Sequence, residues 1–139
     1  MLTLYTDGAA RGNPGPAGAG WVIHGADGKP VATNFKYLGE ATNNQAEYSA
    51  LLLALQQAVE LGGTALKIYA DSELMVKQLN GEYKVKNEGL KPLFQEATAL
   101  LRRFSSYTMN YVPREQNTAA DTLANRAIDQ STKNVLTKS

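Results

Sequence analysis

Two aspartates that end two similar strand-like segments are the first residues whose types and spacing suggest chemistry. Asp7 follows the alternating segment 2–6 and Asp71 follows the segment 66–70, each two residues after a tyrosine. Period-two alternation puts each aspartate on the same face as its tyrosine. If the two strands are parallel neighbours, both carboxylates stand at the carboxyl edge of the sheet, where open α/β sheets bind ligands. Taken singly, either aspartate is more simply a turn or helix-cap residue.

Two further acids lie near the starts of predicted helices, in line with apolar stripes. Glu47 lies one turn before Leu51, and Asp121 lies in line with Ala124 and Ile128. A first-turn acid favoured by the helix dipole is the alternative explanation for each. Four clustered carboxylates, however, repel one another and raise one another's pKa values. Two divalent cations roughly 3.5–4 Å apart would remove that penalty and could activate a water for phosphoryl transfer.

The composition restricts any metal chemistry to oxygen ligands. The 139 residues contain no cysteine, which excludes disulfides, thiolate nucleophiles and cysteine-based zinc sites. The one histidine, His24, is expected on the surface or on a sheet face, away from the acids. Oxygen ligands suit magnesium, manganese or calcium. The net charge of +1 excludes a protein that binds nucleic acid by bulk charge alone, but not one with a local basic patch.

The elements that must position the acids follow the order βββ-α-β-α-α-β-α. Strands are predicted over 2–6, 20–24, 30–38, 66–70 and 107–112, and helices over 43–61, 72–79, 90–104 and 117–129. The fourth strand arrives through a helical crossover and should lie parallel to its neighbour. The predicted fold is therefore an α/β domain with a five-stranded mixed sheet, three antiparallel strands and two crossover-connected ones, flanked by helices.

Two local features accompany this prediction. The glycine- and proline-rich stretch 8–20 is expected to be a turn or loop. Asn43 or Asn44 is expected to cap the first long helix. The final ten residues, 130–139, are mostly polar and are predicted to form a frayed tail.

Four short motifs, in order, resemble type 1 ribonuclease H, and the resemblance covers residues 1–129. The motifs are Tyr5-Thr6-Asp7-Gly8-Ala9 with Gly12-Asn13-Pro14-Gly15-Pro16, then Thr42-Asn43-Asn44-Gln45-Ala46-Glu47, then Tyr69-Ala70-Asp71-Ser72, then Val112-Pro113-Arg114-Glu115-Gln116-Asn117 followed by Ala120-Asp121-Thr122-Leu123-Ala124-Asn125. Each motif alone is weak evidence, but four at suitable spacing are specific. The resemblance implies the ribonuclease H-like fold, with a catalytic domain over 1–129 and a polar C-terminal tail over 130–139.

The implied activity is endonucleolytic hydrolysis of the RNA strand of an RNA–DNA hybrid, leaving 5′-phosphate and 3′-hydroxyl ends. The 2′-hydroxyl is the group that distinguishes RNA from DNA. The family's catalytic, metal-binding acids correspond to Asp7, Glu47, Asp71 and Asp121. They would hold two Mg²⁺ ions when substrate is bound, with Mn²⁺ as a substitute.

The resemblance also implies substrate contacts. Asn13, Asn44 and Ser72 would touch the substrate near the scissile ribonucleotides, and Gly8 belongs to the same substrate-binding set. Thr42 and Asn43 would hold a phosphate of the DNA strand, assisted by amides at the helix N-terminus.

The loop before the last acid departs from the family's pattern. Many members carry a histidine there, whereas residues 113–117 contain none. We expect Arg114 to bind phosphate in this loop, because its guanidinium stays protonated and can bind phosphate as a fixed cation. The alternative is that Arg114 and Glu115 are both solvated loop charges. Glu115, which could accept a proton or hold a metal-bound water, and Asn117 are auxiliary candidates.

A second departure concerns affinity. Some members carry a long basic protrusion, whereas the corresponding segment 80–90 is short and offers only Lys84 and Lys86 as auxiliary contacts. We therefore expect weak binding of the hybrid that fades quickly with salt.

Two other functions stay open at this point. One is a structure-specific DNA nuclease or transposase-like core with the same fold, although the length of 139 residues argues against a transposase. The other is an inactive hybrid-binding module, which would be expected to have lost one of the four acids. No segment has the roughly 18 consecutive apolar residues of a membrane span, and the N-terminus lacks a signal peptide's charged start. We expect a cytoplasmic monomer that binds RNA–DNA hybrid and no membrane.

Overall fold

Five strands form one mixed sheet in the spatial order β3-β2-β1-β4-β5. The computed structural model describes residues 1–138, with the side chains of residues 1–131. Strands β1 (Leu2–Ala10), β2 (Gly15–His24) and β3 (Pro30–Ala41) form an antiparallel meander, and β4 (Ala65–Ala70) and β5 (Ser106–Tyr111) add in parallel. The predicted fold class and the parallel pairing of the first and fourth strands are confirmed.

Four helices cover the two faces of this sheet. They are α1 (Asn43–Glu60), α2 (Glu73–Leu79), α3 (Lys91–Leu101) and α4 (Thr118–Lys138), and a 3₁₀ turn spans Arg114–Gln116. Helix α1 packs mainly against β1, and α4 packs mainly against β2 on the other face. The largest buried cluster lies under α1 and includes the fully buried Leu4, Ile23, Leu51, Leu55 and Ile68. No helix within residues 1–138 is both long and apolar enough to cross a membrane.

The prediction of a loop over 8–20 was wrong for most of that stretch. Strand β1 continues to Ala10 and β2 begins at Gly15, so only residues 11–14 form a turn. A Cβ at Gly18 would collide with the backbone of α4 at Ala124, and one at Gly20 with its backbone at Ala120. The glycines in β2 therefore mark the close approach of a helix to the strand rather than a chain reversal.

The predicted cap of α1 was also wrong. Thr42 is the N-cap, and its Oγ1 accepts a hydrogen bond from the Gln45 amide at 3.2 Å. The Gln45 side chain accepts from the Thr42 amide in return at 3.0 Å, which completes a capping box. Because this pair caps the helix, Asn43 and Asn44 are free for other contacts.

The predicted end of the last helix at residue 129 was wrong, because α4 continues to Lys138. Residues 130–138 contain neither glycine nor proline, so nothing in them stops a helix. Polar residues are compatible with a helix, so polarity alone was a poor indicator of coil in this segment. The division into a domain over 1–129 and a tail over 130–139 stays a prediction, and Ser139 lies outside the described residues. The other predicted boundaries fall within three residues of the observed ones.

Candidate active site

Strands β1 and β4 bring two acids together at the carboxyl edge of the sheet. Tyr5 pairs with Tyr69 in the parallel register, and their rings stack with centroids 5.1 Å apart. Asp7 and Asp71 therefore leave the sheet side by side, as the spacing predicted. One carboxylate oxygen from each of Asp7, Asp71 and Glu47 lies within 4.8 Å of the other two.

The third acid reaches this edge because α1 begins against the backbone of β1. A Cβ at Gly8 would collide with the backbone of Ala46 and Glu47, so only glycine permits this approach. The Gly8 amide donates a hydrogen bond of 2.5 Å to Glu47 Oε1. The second carboxylate oxygen, Glu47 Oε2, is buried and has no partner among the described side chains. A buried carboxylate oxygen without a partner is costly unless a cation binds it.

Burial and mutual repulsion keep a proton in this cluster when no cation is present. Burial raises the pKa of Asp7, and the neighbouring carboxylates of Glu47 and Asp71 raise it further. Burial also raises the pKa of Glu47. A divalent cation would stabilise all the carboxylates in their charged form. The all-oxygen donor set fits Mg²⁺ or Mn²⁺.

The fourth predicted acid lies at the mouth of the cluster. Asp121, in the first turn of α4, lies beside Asp7 and, like Asp71, is partly exposed, whereas Asp7 and Glu47 are buried. Its Oδ1 lies 3.3 Å from a guanidinium nitrogen of Arg114, and the charge of Asp121 raises the pKa of Arg114. Arg114 is exposed at the rim of the cluster. The loop that lacks histidine therefore places a positively charged arginine side chain beside the acids.

These residues surround a cleft of about 430 Å³. Eight of the predicted site residues line it, namely Asp7, Gly8, Asn43, Glu47, Asp71, Ser72, Arg114 and Asp121. Ser72 also caps α2, because its Oγ accepts from the Met75 amide at 3.2 Å. Asn43 is joined to the end of β1 and to the turn that follows it, since its Oδ1 accepts from the Ala10 amide and its backbone amide donates to Asn13 Oδ1, each at 3.1 Å.

The other predicted site residues lie outside this lining. Thr42 is the N-cap described above, and Asn44 is exposed beside it at the start of α1. Lys84 and Lys86 are exposed in the segment between α2 and α3, where Lys84 borders a separate depression with Tyr83 and Lys91. Glu115 is exposed in the 3₁₀ turn, and Asn117 is buried beneath the cleft. His24 lies on the sheet face with its ring edge against Tyr5, as expected.

Sequence analysis missed two polar residues of the cleft, Arg11 and Asn125. Arg11 forms an ion pair of 2.7 Å with Asp129 and contacts Asn125 Oδ1 at 3.4 Å. The Asn125 amide in turn donates to Asp121 Oδ1 at 3.3 Å. Asn125 could have been found from its position, because it lies one helical turn after Asp121 and therefore on the same face. Arg11 carried no such signal.

Comparison with known protein families identifies relatives over nearly the whole chain. The family model described as "Reverse transcriptase-like" matches residues 5–127. Ribonuclease HI of Halobacterium salinarum is 44% identical over 127 residues, covering 91% of this chain and 64% of the relative. Ribonuclease H of Dechloromonas aromatica is 31% identical over 145 residues, covering 93% of this chain and 94% of the relative.

Comparison with solved structures also identifies ribonuclease H relatives over nearly the whole chain. The crystal structure of RNase H1 from Halobacterium salinarum superposes with a TM-score of 0.90 at 43% identity, covering 93% of this chain and 98% of that one. LC11-RNase H1, solved in complex with RNA/DNA hybrid, superposes with a TM-score of 0.89 at 40% identity, covering 95% and 99%. Some relatives are longer, since this chain spans 64% of the Halobacterium protein and 35% of bifunctional protein Rv2228c of Mycobacterium tuberculosis.

Proposed function

Because the chain belongs to the type 1 ribonuclease H family, we propose that it is an endoribonuclease that hydrolyses the RNA strand of RNA–DNA hybrids. The products would carry 5′-phosphate and 3′-hydroxyl ends. The observation that carries this proposal is the meeting of Asp7, Glu47 and Asp71 within 4.8 Å at the carboxyl edge of the sheet. LC11-RNase H1, with the same fold at 40% identity, was solved with an RNA/DNA hybrid, which supports this substrate class.

Divalent cations would be held by Asp7, Glu47, Asp71 and Asp121. The unpartnered Glu47 Oε2 and the raised pKa of Asp7 are the observations that favour cation binding over a purely structural acid cluster. Two bound Mg²⁺ or Mn²⁺ ions would supply an activated water and a counter-charge for the leaving oxygen. The carboxylates would hold the ions, and the positive charge of the ions would offset the repulsion among the four acids.

The start of α1 would orient the substrate. Its N-terminus carries partial positive charge from the helix dipole, which favours a phosphate near Thr42 and Asn43. The two bonds from Asn43 to the β1–β2 turn hold Asn13 and the helix start as one unit. Asn13, Asn44 and Ser72 offer amide and hydroxyl groups that can pair with a ribose 2′-hydroxyl. Gly8 has no side chain, so its backbone would be accessible to the substrate beside the acids.

Arg114 would bind the developing or departing phosphate. Its guanidinium lies 3.3 Å from Asp121 and is exposed at the rim of the cleft. It cannot act as a base because it stays protonated. Glu115, exposed in the same turn, is the less favoured participant.

We expect Arg114→Ala to lower kcat on the hybrid about 10-fold or more, because a charge-assisted contact with phosphate is lost. Glu115→Ala is the matched control, since it changes a charge in the same 3₁₀ turn and leaves the Arg114–Asp121 pair intact. Steady-state kinetics with Mg²⁺ measure both. Wild-type kcat and KM in Arg114→Ala would return Arg114 to the class of solvated loop charges.

We also expect few phosphate contacts. Lys84, Lys86 and Arg114 are the candidate cations, so the slope of log affinity against log salt should correspond to about three contacts. Substituting Lys84 or Lys86 by alanine should reduce the slope by about 1, whereas Lys29→Ala, in the β2–β3 turn, should not. Fluorescence anisotropy of a labelled hybrid in Ca²⁺ measures the slope. A slope of about ten contacts or more would reveal a basic surface elsewhere.

One assay tests the proposed function against both alternatives. Matched RNA–DNA, RNA–RNA and DNA–DNA duplexes of one sequence are incubated with protein and Mg²⁺, and the product ends are analysed. We expect the RNA strand of the hybrid to be cut and the DNA duplex to be left intact. Equal cutting of the DNA duplex would identify a DNA nuclease, and binding of the hybrid without cutting would identify a binding module.

A further inference from the structure

Asn117 is a buried polar residue that contacts the ends of both central strands. It is 2% exposed and lies between the 3₁₀ turn and α4. Its side-chain nitrogen donates to the Thr6 carbonyl of β1 at 2.8 Å and to Asp71 Oδ2, just beyond β4, at 3.3 Å. One amide group therefore spans the gap from which Asp7 and Asp71 emerge.

These partners fix which way the amide points. The Thr6 carbonyl only accepts hydrogen bonds, so the nitrogen of Asn117 must face it. The oxygen, Oδ1, is then buried with no partner among the described side chains. A buried unpaired acceptor costs free energy. The orientation that leaves Oδ1 unpaired is also the one that places an N–H donor at the Asp71 carboxylate.

The Asn117 side chain does not cap α4, although asparagine commonly caps a helix from the position directly before it. Asn117 directly precedes α4, and its backbone oxygen accepts from the Asp121 amide at 3.1 Å. An asparagine at such a position commonly caps the helix with its side-chain oxygen. Here that oxygen makes no bond, and the amide is directed at the acids instead.

A neutral donor suits a carboxylate that must bind a cation. Arginine or lysine at this position would pair with Asp71 and compete with the metal for its charge. An amide fixes the orientation of the carboxylate and leaves its negative charge available. Asp121, by contrast, contacts the guanidinium of Arg114.

We propose that Asn117 is a positioning residue that holds the Asp71 carboxylate in the orientation required to bind a divalent cation. This inference rests on the proposed function, because it assigns Asp71 to cation binding. It predicts that loss of the amide weakens cation binding and turnover while leaving the affinity for the hybrid unchanged.

The test compares Asn117→Ala and Asn117→Thr with Asn80→Ala in the full chain. Threonine is similar in volume to asparagine, but its single hydroxyl cannot serve both partners. Asn80 is the matched control, because its amide donates to the Met109 carbonyl at 3.0 Å in a half-buried site remote from the acids. Binding of Mn²⁺ alone is followed by the paramagnetic resonance signal of the free ion, well below each variant's unfolding temperature.

We expect both Asn117 variants to bind Mn²⁺ about 10-fold more weakly than wild type, and Asn80→Ala to bind it like wild type. On the hybrid, kcat should fall without a change in KM, and excess Mg²⁺ should restore part of it. Mn²⁺ binding in both Asn117 variants equal to that of Asn80→Ala would overturn the proposal. Failure of both to fold while Asn80→Ala folds would assign the amide to the fold and overturn it equally.

The same data separate this inference from the proposed function. A wild-type chain that binds Mn²⁺ but cuts no hybrid would refute the ribonuclease activity. If that chain still loses Mn²⁺ affinity in the Asn117 variants, the positioning role stands. A wild-type chain that cuts the hybrid while the Asn117 variants keep full Mn²⁺ affinity would refute only the positioning role.

Discussion

Asp7→Asn should abolish cleavage of the hybrid and, at the same time, stabilise the protein when no metal is present. Asp7 is 5% exposed, contacts Glu47 and lies near the charges of Asp71 and Asp121. Replacing its carboxylate would remove a central ligand of the proposed cation site, and we expect a loss of activity on the order of 100- to 1000-fold or more. The same change removes the cost of taking up a proton on folding, which metal-free wild type bears because the pKa of Asp7 is raised by burial.

The stabilising effect depends on pH in a defined direction. The pKa of Asp7 is raised in the folded protein, chiefly by burial, above its ordinary value of 3.8. At pH values between the ordinary pKa of Asp7 and its raised pKa in the folded protein, the folded state holds a proton that the unfolded state has released. Stability of the metal-free wild type therefore falls as pH rises through this window, by up to about 1.4 kcal/mol per pH unit for one proton. Asp7→Asn carries no such proton, so its stability should vary less with pH.

Thermal unfolding in a chelator between pH 5 and pH 9 measures this difference, and a hybrid-cleavage assay with Mg²⁺ measures the loss of activity. Glu96→Gln on α3 is the control, because it removes one exposed negative charge outside the cleft. Added Mg²⁺ should raise the unfolding temperature of wild type and of Glu96→Gln, but scarcely that of Asp7→Asn. Robust cleavage by wild type in excess chelator would refute the metal-dependent mechanism.

Gly8→Ala should damage the active site from a position that carries no functional group. The added methyl group would occupy the space of the Ala46 and Glu47 backbone, so the start of α1 must move away from β1. The Gly8–Glu47 hydrogen bond and the meeting of Glu47 with Asp7 depend on that contact. We expect a loss of about 1–3 kcal/mol of stability from overpacking, and cleavage reduced about 100-fold in the protein that stays folded.

Gly28→Ala separates these two effects. Gly28 has a φ of +80° with open space around it, so alanine there costs backbone strain but touches nothing. Circular dichroism gives the unfolding temperature of both variants, and cleavage is measured where both are fully folded. Gly28→Ala should lose stability and keep full activity. Full activity in folded Gly8→Ala would show that Glu47 does not need this close contact.

The acidic site was predictable because its determinants are local. Strand alternation fixes where Asp7 and Asp71 point, and a helical crossover makes their strands parallel, so two short segments suffice to place both carboxylates together. Glu47 carried a weaker signal, since a first-turn acid in an apolar stripe has an ordinary explanation as well. The four motifs, in order, then favoured the interpretation of Glu47 as a metal-binding acid over that of an ordinary first-turn acid.

The errors come from contacts between segments that are distant in sequence. Gly18 and Gly20 suggested a loop because the helix that requires them, α4, lies about a hundred residues further along the chain. The burial of Asn117 has the same origin, because its partners lie on β1 and after β4. The cap at Thr42 was missed for a different reason, since two asparagines follow it and both threonine and asparagine cap helices well.

The proton retained by Asp7 and Glu47 makes cation uptake an exchange reaction rather than a simple association. At neutral pH an incoming Mg²⁺ ion must displace this proton, so binding releases roughly one proton to the buffer. The apparent affinity then rises by up to about tenfold for each pH unit, until the proton is already lost from the free protein. Acidification would thereby weaken cation binding at the proposed metal site and slow the proposed cleavage, whereas the metal-free protein would become more stable.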